Sequence, residues 1–442
     1  MLKSGAPEKG HGKAIPATGL KLFRTPCLRK GVGMSKSCAY LVTILWISIS
    51  TFTPVLAAES VKIGVIQPFT GITALWGDEA KRGIEMAMEK INAGGGVLKK
   101  KVELALEDSK GDPSTAVSAA ERLLMREKVV ALTGVYSSTE ALAVLAAVKK
   151  YEPLFLLQGG ATTKIDRMYG KEPWLFMLLP RSPDYQKNIA EFLNSIQPKP
   201  KRIALAYEDT SYGVDHSRVA KEYLTQLGFE LVTFESFKSG ALDHSSLVTK
   251  IKGAKPDIFY WIGYAGDSIL ITKQAKELGF SPKMLVDSAG VGLPEFGASL
   301  QRDAEYICGL EVWIPTAKFP ASGQYPQFYP KTEDWVAEYK RRFNKDPQWW
   351  SAFNYVALIT LTTAMNKAGT TDKAKLITAL EATDTMTPFG PLKFFKNSFG
   401  AIHQSYQDMI VFQWQQGEKV TLWPPKAAGG KLLYPMPAWD KR

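Results

Sequence analysis

Two apolar runs in this sequence end in clusters of hydroxyl-bearing and small residues. Val129 to Gly134 leads into Tyr136-Ser137-Ser138-Thr139, and Leu154 to Gln158 leads into Gly159-Gly160-Ala161-Thr162-Thr163. If each run is a strand, each cluster opens the next loop or helix at the carboxyl end of a sheet. Unpaired backbone N–H groups and the field of a helix N-terminus favour an anion there. No lysine and no Walker-type glycine pattern accompanies the hydroxyls, which suits a small carboxylate better than a nucleotide. Ser and Thr are also ordinary N-cap residues, so capping is the competing explanation for both clusters.

Other strand ends carry aromatic and acidic groups. Tyr212 follows Glu208-Asp209-Thr210-Ser211, Tyr264 follows Asp257 to Ile262, Trp76 precedes Gly77-Asp78, and Trp349-Trp350 open a later apolar segment. Aromatic walls with a few aimed polar groups are how small-ligand sites are built, although aromatic residues at such spacings also serve as packing. Sharper signatures are missing. His216, His244 and His403 lie far apart without metal-ligand spacing, and no Gly-x-Ser-x-Gly elbow or strand-borne Gly-x-Gly-x-x-Gly occurs. We therefore expect no catalytic residues, no metal and no cofactor, and a protein that is not an enzyme.

The elements that must position these groups repeat as apolar run, turn and amphipathic helix. Val61 to Ile66 reads as a strand, and Ile84, Ala87, Met88 and Ile91 mark one face of the helix after it, which Asn92-Ala-Gly-Gly-Gly96 stops. Further strands are expected at Val102 to Glu107, Val129 to Thr133, Leu154 to Leu157, Trp174 to Leu179, Arg202 to Tyr207, Glu230 to Phe234, Asp257 to Ile262, Lys283 to Val286 and Tyr306 to Trp313. Asp112-Pro113-Ser114 starts one intervening helix. Such alternation implies an α/β chain of two doubly wound lobes with parallel sheets. After Ile314 the regularity breaks until Pro330. Helices resume at Lys331 to Asn344 and Ser351 to Ala368, and Met409 to Trp414 is a late strand.

The first sixty residues differ from the rest. Five basic residues from Lys21 to Lys36 precede an uncharged run from Ser37 to Ala58 that closes on Val55-Leu56-Ala57. That is the order of a secretory signal, so residues 1–57 are expected to be a leader with a cleaved signal peptide, with Met34 as an alternative start. An uncleaved anchor would instead make the protein a membrane-anchored extracellular ligand-sensing domain. Without residues 1–57 the chain holds 47 Lys and Arg against 42 Asp and Glu, a net charge of +5 in place of +12. This mild excess makes no case for nucleic acid. Cys27 and Cys38 leave with the leader, and Cys308 alone cannot form an internal disulfide.

From residue 59 to 442 the chain resembles the branched-chain amino acid (Leu/Ile/Val-binding) type of periplasmic substrate-binding protein from ABC importers, the type I periplasmic binding fold. The resemblance rests on Val61-Lys-Ile-Gly-Val-Ile-Gln-Pro-Phe-Thr-Gly71, Trp76-Gly-Asp78, Ile91-Asn-Ala-Gly-Gly95, Glu107-Asp108 with Asp112-Pro113, Gly134-Val-Tyr-Ser-Ser138, Gly160-Ala-Thr162, Tyr212-Gly213 and Ile262-Gly-Tyr264. Their order and spacing together are specific. The resemblance implies two lobes joined by three crossing hinge strands, with 58–180 and 314–400 forming the N-terminal lobe and 181–313 and 401–442 the C-terminal lobe. It implies a ligand carboxylate held by Ser137 or Ser138 and by Thr162, with backbone from Gly160 and Ala161. Tyr212 and Tyr264 would form the opposite wall, and Trp76 and Trp350 would touch the ligand side chain.

One departure bears on the ligand. Amino-acid binders of this family carry a glutamate for the ligand ammonium where this chain has Ala289, and Asp287 would face the same way if the strand continued. The expected ligand is therefore a small carboxylate: a branched-chain or other amino acid if Asp287 substitutes, otherwise an aromatic or other organic acid. The family's usual N-lobe disulfide is also missing. The resemblance further implies a monomeric periplasmic receptor that delivers its ligand to ABC permease subunits.

Overall fold

A computed structural model of the protein describes residues 60–71, 73–406 and 408–442. The expected leader, with its uncharged run, lies outside the described residues.

Parallel pairing with helical crossovers follows from strands that are apolar on both faces. In β1 (Val61–Gln67) six of the seven residues are buried. It is followed by β2 (Val102–Asp108), β3 (Ala131–Gly134), β4 (Phe155–Leu157) and β5 (Leu175–Met177), and the five form one sheet in the order β2-β1-β3-β4-β5. Every pairing in it is parallel, with Ile63 opposite Leu104 on one side and Ala131 on the other.

The chain then builds β6 (Arg202–Glu208), β7 (Glu230–Phe237), β8 (Ile258–Ile262), β9 (Met284–Asp287) and β10 (Cys308–Glu311). A hairpin of β11 (Asp384–Thr387) and β12 (Gly390–Lys393) stands apart, and β13 (Ile410–Gln415) and β14 (Glu418–Trp423) return to the second sheet. The order there is β14-β13-β10-β9-β8-β6-β7. Pairing is parallel from β10 to β7 and antiparallel for β13 and β14. The order β7-β6-β8-β9-β10 repeats that of the first sheet, so one topology occurs twice in the chain.

Helices fill the connections as the sequence pattern requires. Asp112 caps the helix Pro113–Met125 by accepting from the Thr115 N–H, with proline in its first turn. The helix Ala74–Ala93 buries Ile84, Ala87 and Ile91, and the helix Trp349–Ala368 packs along it. Residues 349–368 thus lie beside the first sheet although they follow the parallel strands β6 to β10 of the second in sequence. The chain passes between the two sheets three times: between β5 and β6, after β10, and ahead of β13.

Two expected strands overrun the observed ones by three residues or more. The regular strand covers only Cys308–Glu311 of Tyr306 to Trp313, and only Leu175–Met177 of Trp174 to Leu179. The flanking apolar residues are buried by neighbouring elements instead, with Trp174 1% and Trp313 2% exposed. Hydrophobicity reports burial; ladder length is set by the strand alongside.

Candidate functional site

In an open α/β sheet the loops part where neighbouring strands are connected in opposite directions, and a crevice opens at their carboxyl ends. The first sheet has that switch point between β1 and β3, and the second has it between β6 and β8. Each of the four strands sends out an aromatic side chain. Trp76 lies in the first turn of the helix after β1, Tyr136 two residues after β3, Tyr212 in the first turn of the helix after β6, and Tyr264 two residues after β8.

These four rings meet. Trp76 stacks on Tyr136 with centroids 5.4 Å apart, Tyr136 reaches Tyr264 at 5.7 Å, and Tyr264 stacks on Tyr212 at 5.4 Å. The stack joins the carboxyl end of one sheet to that of the other. Trp349 closes on Trp76 at 5.1 Å, and Trp350 meets Tyr136 edge-on at 5.0 Å. Trp350 is fully buried and its indole N–H donates to Gln67 Oε1 at 3.1 Å. It supports Tyr136 from behind, while Trp349 packs against Trp76.

The backbone beneath Tyr136 is strained. Gly134 has φ +108°, and a Cβ there would sit 2.1 Å from the Ile66 carbonyl oxygen. Val135 follows at φ +61°, a left-handed conformation that β-branched residues rarely adopt and that costs on the order of 1–3 kcal/mol. The Val135 N–H donates to the Ile66 carbonyl at 2.7 Å, which pins the turn leading into Tyr136.

The two hydroxyl clusters adjoin, since the Gly160 N–H donates to the Tyr136 carbonyl at 3.1 Å. Capping accounts for much of their chemistry. Ser137 caps the helix Ser138–Val148 in a reciprocal box with Glu140, and its hydroxyl donates to Glu140 Oε2 at 2.6 Å. Thr162 caps the helix Thr163–Tyr169, and its hydroxyl donates to Asp215 Oδ2 at 3.0 Å. The donors of Ser137, Gly160 and Thr162 are therefore engaged within the protein. Ala161 is buried, and its carbonyl accepts the Ser182 N–H at 2.7 Å. Ser138 differs: it is 1% exposed, and its hydroxyl has no hydrogen-bond partner among the described residues.

The condition set for Asp287, a strand running on to Ala289, is not met. The strand β9 ends at Asp287 instead of continuing to Ala289, and the carboxylate folds back on its own loop. It accepts from the Ser268 hydroxyl at 2.9 Å and from the N–H groups of Ser288 and Gly290 at 2.7 and 2.5 Å. The hydroxyl of Ser288 then meets that of Tyr212 at 2.5 Å. Alternation along a strand places side chains correctly only while the strand lasts.

Burial dominates the electrostatics on this side. It pushes Asp287 up to about 7 against the bonds it accepts. It pushes Glu208, at the end of β6, up to about 8, with Asp267 and Asp287 nearby adding to the rise and the Thr210 hydroxyl opposing it. His216, which packs on Tyr212 at 4.0 Å, is driven down to about 3 by burial and is neutral. Sequence reasoning did not single out His216, Ser288 or Asp215, because their partners come from distant segments. Tyr136 was visible only as one hydroxyl in a cluster.

One cavity of about 660 Å³ lies beside Thr162 and Asp215 and another of about 500 Å³ beside Gln348 and Lys419, and none of the stacked rings lines either. Among the described residues no group of three His, Cys, Asp or Glu side chains is placed to hold a metal ion, and no helix is long and apolar enough to cross a membrane.

Residues 60–419 match the family model described as periplasmic binding protein. The Leu/Ile/Val-binding protein homolog 7 of Brucella abortus is 34% identical over 400 residues, covering 86% of this chain and 95% of the relative. The substrate-binding protein of a branched-chain amino acid transporter from Streptococcus pneumoniae, solved with isoleucine, superposes with a TM-score of 0.70 at 21% identity, over 82% of this chain and all of that one. A solute-binding protein from R. palustris, solved with benzoate, gives a TM-score of 0.71 at 17% identity, over 82% of this chain and 96% of that one. The last two likenesses concern the fold. The twice-repeated sheet order, the aromatic groups gathered at both switch points and the match over most of the chain lead to one conclusion: this protein belongs to the periplasmic binding protein family.

Proposed function

We propose that the protein is a periplasmic solute receptor that takes a small carboxylate with an apolar or aromatic body between its two sheets and delivers it to an ABC import permease. The observation that carries this reading is the meeting of Trp76, Tyr136, Tyr212 and Tyr264 beside Ser138, whose buried hydroxyl is unpaired at the N-terminus of an eleven-residue helix. Aromatic rings supply the apolar walls, and a hydroxyl with the adjoining helix N-terminus suits a carboxylate. The names of the Brucella relative and of the two ligand-bound structures support the same ligand class.

The reading includes two lobes, 58–180 with 314–400 and 181–313 with 401–442, that part to admit ligand and close over it. Ligand favours the closed form by binding it better than the open one. Asp287 is committed to its own loop, Glu208 is held protonated, and Asp267 is paired with His244 at 2.8 Å. A ligand ammonium would thus meet strand-end acids that are already in use, so an organic acid is favoured over an amino acid.

Thermal denaturation against leucine, isoleucine, valine, benzoate, hydroxybenzoates and the matching amides tests the proposal. An acid present at a hundred times its Kd stabilises by about 2.7 kcal/mol and raises the melting temperature, whereas its amide does not. Equal shifts from acids and amides, or no shift from any compound, would remove the carboxylate from the proposal.

A further inference from the structure

The Asp215 carboxylate sits where donors from separate parts of the chain converge. Asp215 lies on the helix Ser211–Gln226, which follows β6 of the second sheet. Its Oδ2 accepts from the Thr162 hydroxyl at 3.0 Å, the Thr163 N–H at 2.8 Å and the Thr163 hydroxyl at 3.1 Å, all in the segment that follows β4 of the first sheet. It also accepts from the Ser182 hydroxyl at 2.7 Å, at the start of the helix through which the chain passes between the sheets. Arg218 donates to Oδ1 at 3.0 Å, and Arg167 holds Thr163 Oγ1 at 2.9 Å from the other side.

This is an anion site occupied by a side chain of the same protein. Hydrogen bonds to an ionised carboxylate are about twice as strong as neutral ones, and several converging on one oxygen offset its removal from water. Burial opposes ionisation here. The bonds from Ser182, Arg218 and the Thr163 N–H outweigh it and hold the Asp215 carboxyl well below the usual carboxylate range. The bonds to Thr162 and Thr163 join elements of the two sheets, so they exist only while the two sides are together. The Ser211 N–H, which donates to Thr139 Oγ1 at 3.3 Å, reinforces the same junction.

We infer that Asp215 is an internal latch: by filling the hydroxyl and amide cradle at Thr162 and Thr163, it holds the two sides of the protein closed without ligand. The latch rests on the receptor reading only in assuming that the two sides can part. Thr162 accordingly serves closure and not the ligand, and the energy of the latch is part of what any ligand-driven change must work with.

Small-angle scattering from the ligand-free protein, stripped by unfolding and refolding, tests this without any ligand. A compact chain of the described length has a radius of gyration of about 21 Å. The unaltered protein is expected to scatter as the closed form, and Asp215→Ala to show a rise of about 1 Å with its far-UV circular dichroism unchanged. If Asp215→Ala does not fold, Ser182→Ala removes a single donor and is expected to move in the same direction by less. An unchanged radius in the folded variant, or an open form already present in the unaltered protein, overturns the latch. Either result leaves the ligand titration standing, so the two proposals fail separately.

Discussion

Among the hydroxyls at the site, the one without a partner is the informative one. Ser137 and Thr162 have spent their hydroxyl protons within the protein, whereas Ser138 has not. Ser138→Ala is therefore expected to leave the melting temperature nearly unchanged and to weaken the best acid by about tenfold, the equivalent of one hydrogen bond to a charged group. Thr162→Ala is expected to do the reverse, lowering stability by about 1–2 kcal/mol through loss of a helix cap and an Asp215 donor. Calorimetric titration beside thermal denaturation of the two variants separates these outcomes. If Thr162→Ala costs more affinity than Ser138→Ala, the assignment of the two hydroxyls is reversed.

Between elements, buried charge shows how the late strands are tied in. β14 places Lys419 against Glu311 at the end of β10, with Nζ to Oε1 3.2 Å and both side chains largely buried. Lys419 also donates to the Gly292 carbonyl at 2.7 Å and to Gln348 Oε1 at 3.0 Å, just before Trp349. One ammonium thereby joins the second sheet to the helix that carries the tryptophans. Removing it strands a buried carboxylate, so Lys419→Ala is expected to cost about 3–5 kcal/mol, read as a lower denaturation midpoint in urea. A loss under about 1 kcal/mol, the range of an exposed pair, would show that the pair is solvated. The elements themselves were largely legible in the sequence, because strand and helix periodicities follow from burial on two faces or one. Where the expectation for Tyr306 to Trp313 overran, the apolar residues were buried by packing that no local pattern encodes.

Across the whole molecule, titration gives stability a direction with pH. Glu208 and Asp287 have folded values raised to about 8 and about 7, above those of an unfolded chain. The folded state therefore holds more protons than the unfolded one between the ordinary carboxylate range and those values. The stability these groups contribute is fully present below that range and is lost as the pH rises through 7 and 8. Asp215 is shifted the other way, so its contribution is present above the ordinary range and is lost as the pH falls through its lowered value. The protein is expected to melt at a higher temperature at pH 5.5 than at pH 8.5, and Glu208→Gln should flatten that difference. A melting temperature that holds or rises between the two pH values would contradict the burial of these acids.

The sequence alone determined the alternating α/β elements, the two hydroxyl clusters and the aromatic residues at strand ends. Each of these depends on local periodicity or on residues next to one another in the chain. It marked Ser138 and Thr162 alike, because a hydroxyl looks the same whether it caps a helix, bonds another side chain or waits unpaired. Tertiary structure decided among these by bringing Asp215 to Thr162 and Ser288 to Tyr212, contacts made across 53 and 76 residues. It also ended β9 at Asp287, because a strand lasts only as long as its neighbour pairs with it. Which polar groups are spent and which remain is a property of the assembled fold, where every hydrogen bond must be shared among partners that the chain order keeps apart.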